Sequence, residues 1–407
     1  MSDKPSVRVK RVEDEENQFI RIAEPILYPN ENIVGVQYNI NVINKVNADV
    51  KQINEVHNMR YFFKPEIEEL LKYNGLRLVD CFDCYTLQTI DTGWISSEGA
   101  FVKLLEEGNE VIMPTFTIIS CAAALVRRKI KPVLVDADPT TWNMDVTQIE
   151  DKVTWKTRAI MAVHLYGLPV DMDAVMEIAQ RHHLYVIEDS AEAHGLEYKG
   201  KMCGSFGTIS CMSFYPNKHI TTGEGGMVLV DDEQLRDRCI SLRNLCHSPH
   251  RRFYHEDLGY NFRMSNIQAA LGVAQLEKLK EHLEMKRTIG ADYQERLKDI
   301  DCVQLPVKRT KYAENIYWIF GMVIHKDILM DAKEVMLQLA DRKVGCRPFF
   351  YPMHLQPVFR KMGLFLEENY PIAERLAEKG FYIPSGLGVT AEQREYVAEQ
   401  LKTVFEV

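Results

Sequence analysis

Lys218 is the residue of this sequence whose surroundings best suit covalent chemistry. It lies in the run SFYPNKHITTGEGG, residues 213–226, directly after an apolar stretch and just before a glycine-rich turn. Burial and neighbouring cations lower the pKa of a lysine, and its amine then becomes a nucleophile for carbonyl groups. From this run alone, a reactive amine and an ordinary loop lysine both remain open.

A second group of polar residues ends another apolar stretch. Residues 186–192 read Val-Ile-Glu-Asp-Ser-Ala-Glu, so Glu188 and Asp189 directly follow the apolar residues. Open α/β sheets bind ligands at the carboxyl ends of their strands. Burying an unpaired carboxylate is costly, and a protonated pyridine nitrogen would suit Asp189 because the ion pair keeps the ring an electron sink. For Glu188, an acidic N-cap on a following helix is the open alternative.

The elements that must position these residues follow an α/β pattern. From Glu110 onward, short apolar runs alternate with amphipathic stretches, which is typical of βαβ units and a mostly parallel sheet. Apolar positions 172, 175, 176 and 179 predict a helix over 172–182, and residues 265–297 form a long helical pattern. A smaller α/β domain follows and ends in a helix over 391–405. The predicted strands cover residues 110–113, 132–136, 159–163, 184–188, 209–214 and 226–230.

The first ninety residues have a different character. Residues 34–56 alternate like a polar hairpin, and residues 64–73 have a helical pattern opened by Pro65. Residues 57–76, within the stretch 32–88, resemble the carboxyl-terminal end of class I methyltransferases that act on small molecules. The nucleotide-binding half of such an enzyme is absent, so this resemblance does not imply methyl transfer.

Composition and charge exclude several classes of function. The 407 residues carry 49 basic and 58 acidic side chains, a formal net charge of −9, so nucleic acid held by a general positive field is not expected. The nine scattered cysteines suit a reducing compartment, and Cys81 and Cys84 are interpreted as half-buried thiols rather than metal ligands. No apolar run has the length of a membrane span. We therefore predict a soluble, cytoplasmic protein with no metal site and no membrane partner.

Six segments in chain order resemble the DegT/DnrJ/EryC1/StrS family of sugar aminotransferases. The resemblance implies aspartate aminotransferase fold type I, an α/β fold with a large domain around a mostly parallel central sheet and a smaller C-terminal α/β domain. It also implies pyridoxal 5'-phosphate as the cofactor and a homodimer with shared active sites. The six segments begin at Asp91, Pro114, Val163, Ser213, His255 and Arg347.

The resemblance also implies a role for each residue around the cofactor. Lys218 would bind the cofactor covalently and afterwards move a proton between the substrate carbon and the cofactor carbon. Asp189 would pair with the pyridine nitrogen. Glu192 would face the phenolic oxygen, where a carboxyl group must be protonated or otherwise neutralised to donate a hydrogen bond. Ser213 would hold the phosphate, and Asn261 would reach the same phosphate from the neighbouring subunit.

The substrate side of the pocket is less closely defined. His354 and Arg347 would lie on the sugar-nucleotide side, with an ordinary structural ion pair as the open alternative for Arg347. The implied reaction moves the amino group of L-glutamate to the 4-keto carbon of a nucleotide-linked 4-keto-6-deoxyhexose. GDP-4-keto-6-deoxy-mannose is the first expectation, and a UDP- or dTDP-linked sugar is the alternative.

One departure from the family pattern affects the cofactor phosphate. Between Lys103 and Leu104 the family has a few dozen more residues, among them a helix start that grips the phosphate. A catalytically impaired, chimeric homologue is therefore a further alternative. The predicted organisation is an N-terminal extension over 1–90, a cofactor-binding large domain over 91–285 that is shortened near 103–104, and a small domain over 286–407.

Overall fold

The structure, a computed structural model, describes residues 8–13, 17–28, 33–47, 49–60 and 105–406. Of the methyltransferase-like stretch 32–88, it describes residues 33–47 and 49–60. Four predictions lie outside the described residues: the helix over 64–73, the thiols of Cys81 and Cys84, the family segment that begins at Asp91, and the shortening between Lys103 and Leu104.

The N-terminal residues form four antiparallel strands, each paired with the next. They are β1 (Arg8–Glu13), β2 (Asn17–Tyr28), β3 (Ile33–Asn44) and β4 (Val50–Arg60). The hairpin predicted over 34–56 is confirmed as β3 and β4. Its turn is stabilised because the Asn44 side chain accepts hydrogen bonds from the backbone N–H groups of Val46 and Asn47, a common use of asparagine in turns.

The chain from residue 105 builds the sheet that carries the candidate site. Its strands are β5 (Glu110–Pro114), β6 (Lys131–Val135), β7 (Thr157–Val163), β8 (Tyr185–Asp189), β9 (Glu197–Tyr198), β10 (Lys201–Met202), β11 (Ile209–Ser213) and β12 (Gly226–Leu229). β9 and β10 pair with each other. The other six form one sheet in the order β12-β11-β8-β7-β5-β6, parallel except for β12. Parallel strands are buried on both faces and form apolar runs, and all six predicted strands are confirmed to within two residues.

Helices cover this sheet and continue into the C-terminal part. α2 confirms the helix predicted over 172–182, although Met176 is partly exposed and Ile178 is buried in its place. The long pattern over 265–297 divides into two helices, α4 and α5, at residues 277–278. The helices of the described residues are α1 (Ile119–Arg127), α2 (Met172–Arg181), α3 (Glu233–Arg243), α4 (Asn266–Leu276), α5 (Leu279–Arg296), α6 (Ala332–Asp341), α7 (Pro357–Lys361), α8 (Pro371–Lys379) and α9 (Ala391–Val404).

The C-terminal part, predicted as a smaller α/β domain, has a smaller antiparallel sheet. The remaining strands are β13 (His247–Ser248), β14 (Arg251–His255), β15 (Val303–Gln304), β16 (Phe320–Ile324), β17 (Arg347–Pro348) and β18 (Gly380–Ile383). The smaller sheet has the order β15-β16-β18-β17, while β13 and β14 form a separate hairpin. The predicted boundary at residue 285 falls inside α5, so one continuous helix passes from the large part to the small part.

Aromatic side chains join the central sheet to the C-terminal part. Tyr166, just after β7, has its ring 4.8 Å from that of Phe349 and stacks on Phe350 at 5.3 Å. It also stacks on Trp318 at 6.1 Å. Such ring pairs add to the stabilisation that burial alone provides, so both parts approach each other at a packed interface near Tyr166. Within the described residues, no helix combines the length and the apolar character that crossing a membrane requires.

Candidate active site

Lys218 lies on the turn that follows β11, and its side chain is only 10% exposed. The Nζ atom is 3.4 Å from Oε1 of Glu192 and 4.0 Å from the centre of the Trp318 ring. The Trp318 ring is itself held in place because its Nε1–H donates to the backbone oxygen of Asn217. The structure therefore places this amine in a largely buried setting, between a carboxyl group and an aromatic face.

Glu192 is a buried acid whose charge is disfavoured by its surroundings. Its Oε2 accepts a hydrogen bond of 2.8 Å from the backbone N–H of Tyr166. Burial raises the pKa of Glu192 to about 7, although Lys218 and the Tyr166 N–H both favour the charged form. Near neutral pH a substantial fraction of this carboxyl group is therefore protonated, and it can donate a hydrogen bond as the sequence analysis required.

Asp189 is the last residue of β8, at the carboxyl edge of the central sheet. Its Oδ2 accepts a hydrogen bond from the Cys121 thiol at 3.2 Å, and its Oδ1 accepts one from the backbone N–H of Ala191 at 3.0 Å. Burial, reinforced by the nearby Asp189, raises the pKa of Cys121 well above its usual value, so the thiol stays protonated and donates. In the sequence, Cys121 has no feature that distinguishes it from the other scattered cysteines.

Ser213 and Asn261 lie in very different surroundings. Ser213 is the last residue of β11, which pairs with β8, so it lies at the same sheet edge as Asp189. The Ser213 side chain is buried, and its hydroxyl accepts a hydrogen bond of 3.3 Å from the backbone N–H of Tyr215. Asn261 is exposed and pairs through its backbone with Asn244. The phosphate-binding roles predicted for both residues remain predictions.

Arg347 and His354 were expected to lie together on the substrate side of the pocket. Arg347 lines the same cavity as Lys218, and within the described residues it forms no ion pair; its guanidinium donates to the backbone oxygen of Cys346. His354 is completely buried, with Nδ1 hydrogen-bonded to the Thr115 hydroxyl and Nε2 to Glu374. Because neither ring nitrogen of His354 is free, the predicted contact of His354 with a substrate is not supported.

Glu188 turns out to be part of a buried hydrogen-bond network. No helix begins after β8, so the alternative of an N-cap is wrong. The His164 ring accepts a hydrogen bond at Nδ1 from the N–H of Val170 and donates from Nε2 to Glu188 at 2.9 Å. Burial opposes the charge of Glu188, but His164 and backbone N–H groups outweigh it and lower its pKa. The further donors to Glu188 are the N–H groups of Gly204, Phe206 and Gly207 and the hydroxyl of Ser210.

The Cys203 thiol lies near this network. The potential ligand atoms of His164, Glu188 and Cys203 lie within 4.8 Å of one another, as in many metal sites. Both nitrogens of His164 and both oxygens of Glu188 are already engaged in hydrogen bonds. We therefore interpret this cluster as a structural network beneath the site.

The groups at the sheet edge fit the chemistry of pyridoxal phosphate. Lys218 offers a primary amine for its aldehyde, and Asp189 offers a carboxylate for its ring nitrogen. Ser213 offers a hydroxyl for its phosphate. Glu192, with its pKa near neutrality, offers a donor for the phenolic oxygen. All four lie on β8, β11 or the turns that follow them, where open α/β sheets bind ligands.

Glu192→Gln is expected to reduce the pH dependence of stability. An unfolded glutamate ionises near pH 4.5, whereas Glu192 in the folded chain ionises near 7. Between these values the folded state keeps a proton that the unfolded state has lost, so the contribution of this group falls as the pH rises. The variant cannot ionise there, and its free energy of unfolding should fall less across the window. Urea denaturation of the parent and the variant at several pH values measures this, and Glu281→Gln, at an exposed position, is the control. If the free energy of unfolding of the parent and of Glu192→Gln changed with pH in parallel, the raised pKa of Glu192 would be contradicted.

Comparisons with known proteins show the family to which this chain is similar. A model of the DegT/DnrJ/EryC1/StrS aminotransferase family matches residues 100–402. The GDP-perosamine synthase of Escherichia coli O157:H7 is 40% identical over 318 residues, or 78% of this chain and 85% of the relative. The GDP-perosamine synthase of Caulobacter vibrioides is 34% identical over 352 residues, or 79% of this chain and 94% of the relative. The crystal structure of S. venezuelae DesV has a TM-score of 0.73 at 29% identity and covers 86% of this chain and 91% of its own. The predicted fold class, aspartate aminotransferase fold type I, is confirmed.

Proposed function

Because this chain belongs to the DegT/DnrJ/EryC1/StrS aminotransferase family, we propose that it is a pyridoxal-phosphate-dependent nucleotide-sugar aminotransferase. The amino group of L-glutamate is transferred to the 4-keto carbon of GDP-4-keto-6-deoxy-mannose, which gives GDP-perosamine. The observation that carries this proposal is the largely buried Lys218 amine, which lies next to Glu192 and at the same sheet edge as Asp189 and Ser213.

Each residue of the site has a definite task in this reaction. Pyridoxal phosphate, when bound, supplies the electron sink for the carbon that gains or loses the amino group. Lys218 holds the cofactor and moves the proton at the reacting carbon, while Trp318 and Glu192 restrict the positions that its Nζ can reach. Asp189 holds the ring nitrogen protonated, with Cys121 fixing the orientation of the carboxylate.

The choice of GDP rests on the names of the relatives, three of which are GDP-perosamine synthases. The test is to incubate the chain with L-glutamate, pyridoxal phosphate and the GDP-, UDP- or dTDP-linked 4-keto-6-deoxyhexose, and to detect the amino sugar by mass spectrometry. We expect the GDP-linked substrate to be aminated at least about tenfold faster, a difference of about 1.4 kcal/mol in the barrier. Faster amination of another sugar would replace the substrate, and no visible cofactor absorbance at all would favour the impaired homologue.

We further propose a homodimer with shared sites, because exposed Asn261 lies on a segment that also leaves Leu258 91% exposed. In such a dimer, Lys218→Ala and Asn261→Asp inactivate different halves of each site. A hybrid of the two variants then retains one site with both native residues. Co-expression of the two inactive chains should restore part of the parental activity.

Each variant expressed alone is the control for this complementation. If Asn261 instead serves the Lys218 of its own chain, both sites of the hybrid are defective and no activity returns. Sedimentation velocity provides an independent check, since a fully active monomer at low concentration would also contradict the proposal.

A further inference from the structure

A cavity of about 650 Å³ opens beside Lys218. It lies between the turn after β11, the N-terminal half of α5, and residues 382–387, which cover the end of β18 and the loop after it. The described lining includes no aspartate or glutamate, although acidic residues outnumber basic ones in the whole chain. The ionisable side chains that line it are Lys218, His219, His282, Lys286, Arg347 and Tyr382.

Lys286 is a buried cation without a counter-ion. Its side chain is 5% exposed, and Nζ donates to the backbone oxygens of Trp318 at 3.1 Å and Ser385 at 2.5 Å. Among the described residues no carboxylate lies within ion-pair distance of it. Taking an ammonium group out of water without a paired charge is costly, and burial accordingly lowers the pKa of Lys286 to about 7. An anion that enters the cavity would supply the missing charge.

His219 adds an unsatisfied polar group to the same wall. It follows Lys218 directly and is 6% exposed; neither ring nitrogen makes a hydrogen bond of standard geometry within the described residues, although a weaker contact with the Ile316 backbone favours the charged form of the ring. Burial, and then the charge of Lys286, lower the pKa of His219 well below its usual value. A neutral imidazole still carries one N–H donor. His282 lies one helical turn before Lys286 on the same face of α5, and its Nδ1 also lacks a partner in the described chain.

We propose that this cavity is an oxyanion subsite, in which Lys286 and His219 at the buried end and Arg347 at the exposed end hold a carboxylate or phosphate group of a substrate. Charge-assisted hydrogen bonds to such groups are among the strongest that side chains make. Assignment of the anion to a substrate rests on the proposed function. Two sources share this chemistry: a carboxylate of the amino donor and the diphosphate of the nucleotide sugar.

The competing interpretation is purely structural. On this interpretation, Lys286 serves only to join two separate segments through the carbonyl groups of Trp318 and Ser385. A structural lysine and an anion-binding lysine differ in one measurable property. Removal of the first lowers stability alone, whereas removal of the second also weakens the binding of an anion.

The test titrates inorganic phosphate and glutarate separately into the full chain by isothermal titration calorimetry. We expect Lys286→Met, which keeps the length of the side chain but loses its charge, to weaken at least one probe by about tenfold or more. Loss of glutarate binding assigns the subsite to the carboxylate of the amino donor, and loss of phosphate binding assigns it to the diphosphate. Lys280→Met is the matched control, because Lys280 is exposed on the same helix outside the cavity lining and its removal changes the net charge equally.

A second variant keeps the test decisive if Lys286→Met folds poorly. Arg347 is exposed, so Arg347→Gln should leave the fold intact and still weaken the same probe. Affinities within about twofold of the parent for both probes, in every folded variant, would overturn the subsite. Binding of the probes does not require turnover, so the two proposals can fail separately. If the chain has no aminotransferase activity but Lys286→Met still weakens probe binding, only the proposed function is rejected. If the chain is active and the variants bind both probes as the parent does, only the subsite is rejected.

Discussion

Lys218→Ala is expected to abolish amino transfer and to remove the visible absorbance of the chain with pyridoxal phosphate. The variant loses both the amine that binds the cofactor and the group that moves the proton. Proton transfer by a positioned side chain alone contributes about 10²–10⁴-fold, so we expect activity to fall by at least about 10⁴-fold when the covalent role is lost as well. Absorbance spectra and single-turnover assays with L-glutamate measure the two losses separately.

Two further variants separate chemistry from electrostatics. Lys218→Arg keeps a cation near Glu192 and Trp318 but cannot bind an aldehyde productively, so it should be as inactive as the alanine variant. Lys333→Ala, at an exposed position on α6, should behave as the parent. Measurable turnover by Lys218→Ala, with the fold verified by circular dichroism, would remove the basis of the proposed function.

Glu188→Ala is expected to cause the largest loss of stability of any single substitution considered. The carboxylate is completely buried and accepts hydrogen bonds from a histidine ring, a serine hydroxyl and backbone N–H groups. Its removal leaves these donors unsatisfied in the interior and opens a cavity. Breaking a buried charged network typically costs about 3–5 kcal/mol. Urea denaturation near neutral pH, where Glu188 is ionised, measures the free energy of unfolding.

The controls for this prediction vary charge and location in turn. Glu188→Gln keeps the shape but presents an NH₂ group where backbone donors converge, so a loss of roughly 2 kcal/mol is expected. Glu281→Ala, at an exposed position on α5, should stay within about 0.5 kcal/mol of the parent. A Glu188→Ala variant as stable as Glu281→Ala would show that the network contributes little.

The local spacing of apolar residues was sufficient to predict most of the helices and strands from residue 105 onward. β5 to β8, β11 and α2 were predicted because period and composition along a few residues already distinguish strand from helix. The break at residues 277–278 between α4 and α5 was missed, since the apolar pattern continues through it. Met176 was assigned to the buried face for a similar reason: helical period fixes a face only approximately, and packing decides which edge residue is covered.

The residues of the candidate site also fall into two groups: those that the sequence identified and those whose roles only the tertiary structure shows. Lys218 and Asp189 were recognised because each ends or follows an apolar strand within a short motif, whereas Glu192 and Ser213 were assigned through the family resemblance. Cys121, Tyr166 and Lys286 were not recognised, because their roles depend on partners elsewhere in the chain. The Cys121 thiol meets a carboxylate 68 residues away, and the Lys286 ammonium meets a carbonyl group 99 residues away.

The sequence by itself determined the fold class, the strand ends that carry the reactive groups, and the lysine that makes covalent chemistry possible. The tertiary structure alone decided that Glu188 is a buried acceptor, that His354 is enclosed by Thr115 and Glu374, and that a cavity without aspartate or glutamate in its described lining opens beside Lys218. The physical reason is the range of the interactions. Strand and helix periodicity are set by neighbouring residues, whereas burial, pKa and hydrogen-bond partners are set by segments that only folding brings together.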